Sequence, residues 1–262
     1  MSDSFTSRVI AIANQKGGVG KTTTAINLAT ALALQERRVL LIDLDPQGNA
    51  STGLGLDRRR RSVGTYTMLI EGRDPAFLAQ PTEIKGLDVI PADPDLAGAD
   101  VELVGMPRRE FRLRESVRAT IGYDYIIIDC PPSLSLLTLN GLVAASSVLV
   151  PLQCEFFALE GISQLVKTID LVKAKLNPRL TLQGIVLTMF DQRTNLSDLV
   201  AADARSFFGD RVYETVIPRN IRISEAPSHG KSVLMYDKSS AGAVAYVKLA
   251  DELLRRERKR AA

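Results

Sequence analysis

NQKGGVGKTTT, residues 14–24, follows the apolar run RVIAIA (residues 8–13) and precedes AINLATALAL (residues 25–34). The first run reads as a buried parallel strand. The second has helical spacing and strong helix formers. A glycine-rich loop between a strand and a helix is the setting that gives a phosphate-loop pattern its mechanism. Gly17, Gly18 and Gly20, with Val19 between them, let the backbone approach a polyphosphate and turn its N–H groups inward. The positive end of the following helix dipole adds to that field. Lys21 is placed to reach the terminal phosphates, and the Thr22 hydroxyl to ligate Mg²⁺. The predicted cradle runs from Lys16 through Thr23.

The strict pattern puts a glycine five residues before Gly20, and Gln15 stands there instead. Beside it is a second lysine, Lys16. Two ammonium groups around one small anion cavity repel each other unless the anion balances them. A spare lysine can instead reach a phosphate in a neighbouring subunit, as an arginine finger does in trans. Two later stretches bring acids to the same region. RRVLLIDLD (residues 37–45) reads as a buried strand ending in Asp43 and Asp45, and YIIIDCPP (residues 125–132) as a central strand ending in Asp129. Open α/β sheets bind ligands at the carboxyl ends of their strands, so these acids are expected to face the loop. The blander reading of Asp43 and Asp45 is that they cap the next turn. Asp129 is expected to hold Mg²⁺ through water, and the two prolines after it stop the strand.

KGGVGKTT, DPQGNASTGLG (residues 45–55) and DCPPSLSLLTLN (residues 129–140) together resemble the deviant Walker A ATPases of the ParA/Soj partition group, relatives of MinD. The resemblance spans roughly residues 8–254 and is strongest over 13–55, 125–140 and 215–237. It implies a doubly wound, mostly parallel α/β sheet of the P-loop NTPase fold, with ATP and Mg²⁺ as cofactors. It implies a nucleotide-sandwich homodimer in which Lys16 crosses to the partner's ATP. Asp43 then lies near the metal with Thr22 and Asp129. Asp45 helps place the attacking water, which makes Lys16, Lys21 and Asp45 the catalytic set. Pro218, Arg219 and Asn220 match a turn that packs against adenine. Arg193 and Arg222 match basic residues used for DNA binding without sequence preference. Residues 153–161 (QCEFFALEG) match a nucleotide- or dimer-facing segment. A ParB-type partner that stimulates hydrolysis is implied, in a cytoplasmic, nucleoid-associated protein. The alternatives are a MinD-like membrane-cycling ATPase and a ParA-like ATPase that positions a protein cluster on the nucleoid. The guanine-reading NKxD motif is absent, which disfavours GTP.

Composition agrees with one globular domain over residues 1–262: 45% hydrophobic and 24% charged. Cys130 and Cys154 lie 24 positions apart without a CxxC, which argues against an iron–sulfur site and suits a reducing cytoplasm. Net charge is +3, but RRERKR (residues 255–260) alone carries +4, which leaves 28 basic against 29 acidic residues elsewhere. An anionic partner must therefore meet local patches. The tail after Leu254 lacks the apolar residues of a membrane anchor, so stable membrane binding is not expected. It either complements the helix dipole or helps hold DNA. RRRR (residues 58–61) reads as a solvated loop or as a DNA or regulatory contact.

Elsewhere, residues 1–7 are expected to form a disordered tail. Helices are expected over 22–35, 62–70, 96–106, 107–120, 161–175 and 241–258, and further strands over 87–91, 147–152, 182–189 and 212–218. Ile162, Leu165, Val166, Ile169 and Val172 make a core-facing helical stripe. His229, the single histidine, has no catalytic partner in sight.

Overall fold

The computed structural model describes residues 7–155 and 158–261. In chain order the elements are β1 (Arg8–Ile12), α1 (Lys21–Leu34), β2 (Val39–Asp43), α2 (Asn49–Gly53), α3 (Thr65–Ile70), β3 (Gln80–Pro81), β4 (Leu87–Ile90), α4 (Ala99–Val104), α5 (Arg112–Ala119) and β5 (Tyr125–Asp129). Then follow α6 (Leu136–Ala144), β6 (Ser147–Gln153), α7 (Ala158–Lys175), β7 (Thr181–Phe190), α8 (Asn195–Phe208), β8 (Val212–Pro218), α9 (Ile221–Glu225), α10 (Val233–Tyr236) and α11 (Ala241–Ala261). Of the expected tail over residues 1–7, residues 1–6 lie outside the described residues, as do Phe156 and Phe157 of the 153–161 segment, while the Ser7 hydroxyl donates to the Tyr123 carbonyl at 2.7 Å.

Among the described residues, eight strands form one sheet in the order β3-β4-β2-β5-β1-β6-β7-β8. Every pairing is parallel except that of β3 with β4. β1 sits between β5 and β6, and the chain winds outward from it in both directions. That strand is the switch point where a crevice opens in a doubly wound sheet.

The period-2 alternation of strand side chains feeds two cores. Val9, Ala11, Leu40, Ile42, Ile126 and Ile128 face the layer that includes α3 to α8. Ile10, Ile12, Val39, Leu41 and Ile127 face α1, α10 and α11. Burying each Val, Leu or Ile among these contributes about 1.5–3 kcal/mol. The three central strands are thus a rigid frame for the loops at their ends.

Several expected boundaries shift for local reasons. The helix expected over 107–120 starts only at Arg112, because Arg108 takes a left-handed φ of 53°, which no α-helix continues through. The 96–106 segment is a 3-10 turn over Pro94–Gly98 followed by α4. The basic tail is no loose appendage, since α11 runs to Ala261. Within it Arg256 pairs with Glu252 and lies over the Tyr213 ring, while buried Glu257 pairs with Arg8. Its exposed Val244 and Val247 are not core, and Tyr246, Leu249 and Leu253 are.

Candidate functional site

Strand register brings the predicted site together. Ile12 pairs with Asp129, and Asp129 with Asp43, so β1, β5 and β2 end at one level. The loop leaving β1 therefore starts beside both carboxylates. Asn14, buried at its root, donates its amide to the Pro151 carbonyl at 2.8 Å and accepts the Lys16 N–H at 3.0 Å. Gly18 and Gly20 have φ of 75° and 86°, which a residue with a Cβ rarely adopts. A Cβ on Gly17 or Gly18 would meet nothing within 4 Å, so the space above the loop is open. Gly20 caps α1 without a side chain, leaving the first helical N–H groups free of a side-chain cap.

The two lysines do not share that space. Lys21 is 7% exposed and donates Nζ to the Lys16 carbonyl at 2.9 Å. Burial lowers its pKa, and the charges of Asp129 and Asp45 act the other way. Lys16 stands at the rim, where Nζ meets Glu155 Oε2 at 3.0 Å with both side chains about half exposed. The Gln153 amide holds the other oxygen of Glu155. Glu155 is legible in the sequence as an acid inside the predicted interface segment, but its partner is not.

Asp43 is fully buried. Its Oδ2 accepts the Ser51 hydroxyl at 2.6 Å and the Ser51 N–H at 2.8 Å. Burial pushes its pKa up to about 6. Asp129 is also held well above the carboxylate range, first by burial and then by the Asp43 charge. Neither Asp129 oxygen has a hydrogen-bond partner of good geometry, although the Thr22 hydroxyl is close enough to temper its charge. Asp45 is nearly buried, and its Oδ1 accepts the Gln47 N–H at 3.0 Å.

Two orphaned oxygens beside a second buried carboxylate are a fit for a cation. Among the described residues, no cluster of three or more His, Cys, Asp or Glu could hold a metal by itself. Mg²⁺ suits that shortage, because it takes one or two carboxylates and completes its shell with water and phosphate oxygens.

A cavity of about 430 Å³ opens beside the loop, lined by Gly20, Thr23, Met189, Pro218, Arg219 and Asn220 among others. That volume lies in the range of small-molecule sites. The structure thus brings the predicted 218–220 turn to the glycine loop. Three lining residues were not anticipated. Thr188 donates its hydroxyl to the Val19 carbonyl at 2.9 Å and ties β7 to the loop. Met189 takes a φ of 51°, a strained backbone at the strand end. Tyr246 reaches from α11 to Thr24, with the hydroxyls 3.3 Å apart.

The predicted DNA-binding arginines are ion-paired within the chain. Arg193 makes a two-pronged pair with Asp191 at 2.9 and 2.7 Å. Arg222 pairs with Glu225 at 2.9 Å and Asp237 at 3.5 Å. Arg193 lines a second cleft, of about 830 Å³, which shares Pro218 and Arg219 with the first. The 58–61 run divides: Arg58 and Arg59 are exposed, but Arg61 is buried, against the reading of the whole run as solvated.

Comparison with known proteins bears on the family and the fold. Residues 7–182 match the family model described as AAA domain. Over 258 residues the chain is 60% identical to the chromosome partitioning protein ParA of Caulobacter vibrioides, covering 97% of each. The chain belongs to the ParA/Soj family. It is also 52% identical over 247 residues to the sporulation initiation inhibitor protein Soj of Bacillus subtilis, covering 94% of this chain and 98% of that one. Among solved structures, this ParA/Soj chain is similar to the cobyrinic acid a,c-diamide synthase of Mycobacterium smegmatis with bound ADP and magnesium. The TM-score is 0.84 at 41% identity, over 96% of each chain. The fold of the ParA/Soj chain is the P-loop one that the glycine loop announces.

Proposed function

We propose that this ParA/Soj-family chain is a Mg²⁺-dependent ATPase that segregates DNA. One arrangement carries the reading: Lys21, Asp43, Asp45 and Asp129 surround an open glycine loop that runs into a base-sized cavity. The relatives named for chromosome partition and for Soj match at higher identity than the solved synthase, and that favours partition. The ADP and magnesium of the solved relative support the choice of ligands.

In this reading the phosphates of ATP lie over residues 17–20, and the base lies against Pro218, Arg219 and Asn220. Lys21 exchanges the Lys16 carbonyl for the terminal phosphates. Thr22, Asp43 and Asp129 would hold Mg²⁺, in part through water, and the ion supplies charge neutralisation along the phosphates. Asp45 orients the water that attacks the γ-phosphorus. Lys16 exchanges Glu155 for the partner's ATP and completes a homodimer. ATP favours that dimer only through its greater affinity for it. Dimerisation gathers two copies of Arg193 and Arg222 on one surface that meets DNA phosphates without reading sequence. A ParB-type partner stimulates hydrolysis, and the DNA is released. The protein then cycles between cytoplasm and nucleoid.

Titration of DNA retention with ADP, ATP and a slowly hydrolysed analogue, with light-scattering masses in parallel, tests this. The analogue is expected to give a dimer that retains DNA, and ADP neither. A monomer at saturating ATP and Mg²⁺ with hydrolysis blocked would overturn it.

A further inference from the structure

The segment after β2 carries Asp45 at its start and α2 in its middle. Its far side is held by one side chain from the basic run. Arg61 is 3% exposed. Its Nη1 donates to the Gly48 carbonyl at 3.1 Å, and its Nη2 to the Thr52 hydroxyl at 2.9 Å and to the Leu56 carbonyl. One planar group thus grips the beginning, middle and end of residues 48–56.

The fit is close. Gly48 has a φ of 64°, and a Cβ built there would meet Arg61 Nη1 at 2.7 Å. The guanidinium occupies the place a side chain would take. On its other side the same segment holds the carboxylates. The Gly48 N–H donates to the Asp45 carbonyl at 2.8 Å, and the Gln47 N–H to Asp45 Oδ1. Ser51, between Gly48 and Thr52, gives both its N–H and its hydroxyl to Asp43. Asp43 is also the carboxylate whose charge most supports the buried cation.

Burying a guanidinium is costly unless its donors are matched; here the two Nη groups hold three acceptors, while the buried Nε finds none among the described residues. A loop that needed only to be closed could be closed by apolar packing. A planar fork on three acceptors fixes distance and angle as well, which a lysine cannot reproduce. We propose that Arg61 is a positioning residue for the acidic turn: it fixes residues 48–56 so that Asp45 faces the terminal phosphate, and hydrolysis depends on it more than nucleotide binding does. This rests on the role given to Asp45 above.

The test uses the full chain with Arg61→Gln and Arg61→Lys, and Asp45→Ala as the reference. Basal ATPase kcat and KM, affinity for a fluorescent ATP analogue, and melting temperature are measured. Arg61→Gln is expected to lower kcat at least tenfold while nucleotide affinity stays within threefold. Arg61→Lys, which keeps the charge and loses the fork, is expected to restore kcat partway. If Arg61→Gln does not melt cooperatively, Arg61→Lys decides alone, with a threefold to tenfold loss of kcat expected at unchanged affinity. An unchanged kcat in the folded variants, or a parallel fall of kcat and affinity, overturns the inference. If Asp45→Ala hydrolyses ATP normally, the reading of Asp45 itself fails. If Asp45→Ala is inactive and Arg61→Gln is not, only the role of Arg61 fails.

Discussion

Asp43 and Asp129 are register partners on neighbouring parallel strands, and both carboxylates are fully buried. Burial does most to raise both pKa values; the Asp43 charge raises Asp129 further, and the Asp45 charge raises Asp43. A carboxyl whose folded pKa is raised binds its proton more tightly in the folded state than in the unfolded one. The nucleotide-free, metal-free protein is therefore expected to lose stability as pH rises from about 4, and the Asp43 part of that loss is complete just above pH 6. Raising Asp43 from its ordinary value to about 6 corresponds to on the order of 3 kcal/mol. Asp43→Asn should remove that loss, so the variant is more stable than the parent at pH 7 and not at pH 4. Urea denaturation of both proteins across this range checks it. A pH-independent difference between them would show that the Asp43 charge is not the cause.

Lys21 is the cation that offsets Asp129 and Asp45, and its Nζ donates to the loop's own carbonyl at Lys16. That bond is one a phosphate oxygen can replace. Lys21→Ala is expected to weaken ATP binding by at least about a hundredfold, the loss of a charged hydrogen bond in a dry site. A fluorescent-nucleotide titration reads this directly. Retained affinity would mean that the backbone N–H groups alone hold the phosphates.

Lys16 must leave Glu155 to reach another subunit. Both side chains are about half exposed, so the pair contributes no more than about 1 kcal/mol. Glu155→Gln is then expected to lower the ATP concentration at half-dimerisation by up to about fivefold, while Lys16→Ala abolishes the dimer. Sedimentation at graded ATP measures both. If Glu155→Gln instead prevents dimerisation, Glu155 serves the assembled dimer rather than restraining the free chain.

What was legible in the sequence was local. The loop, Asp43 and Asp129 each follow an apolar run that can only be a buried strand, and parallel register then sets them level. What was illegible comes from distant parts of the chain. Tyr246 reaches the site from α11 to meet Thr24, and Thr188 lies near the end of a strand that carries no phosphate-site motif. Arg61 reads as part of a solvated run because a charge pattern does not reveal three backbone and hydroxyl acceptors waiting nearby. Helix α8 is hard to see in the sequence because Leu196, Leu199 and Phe207 are exposed while Val200 and Ala204 are buried, which blurs its apolar stripe.

The arginines assigned to DNA come with their own counterions, and that shapes the last prediction. Arg193 is 82% exposed, and Asp191 takes two of its donors. The Arg193 guanidinium holds Asp191 well below the usual carboxylate range, so the pair stays ionised at any working pH. A paired guanidinium must exchange Asp191 for a phosphate before it contributes to DNA binding. Asp191→Asn is therefore expected to strengthen DNA retention by the ATP-bound protein a few-fold. Arg193→Ala with Arg222→Ala is expected to weaken it while leaving ATP-driven dimerisation intact. Each guanidinium removed from a DNA phosphate should make the slope of log affinity against log salt shallower by about 0.9. Retention measured from low to moderate salt separates the cases. If neither Asp191→Asn nor the double alanine variant changes affinity or slope, the DNA surface lies elsewhere on the molecule.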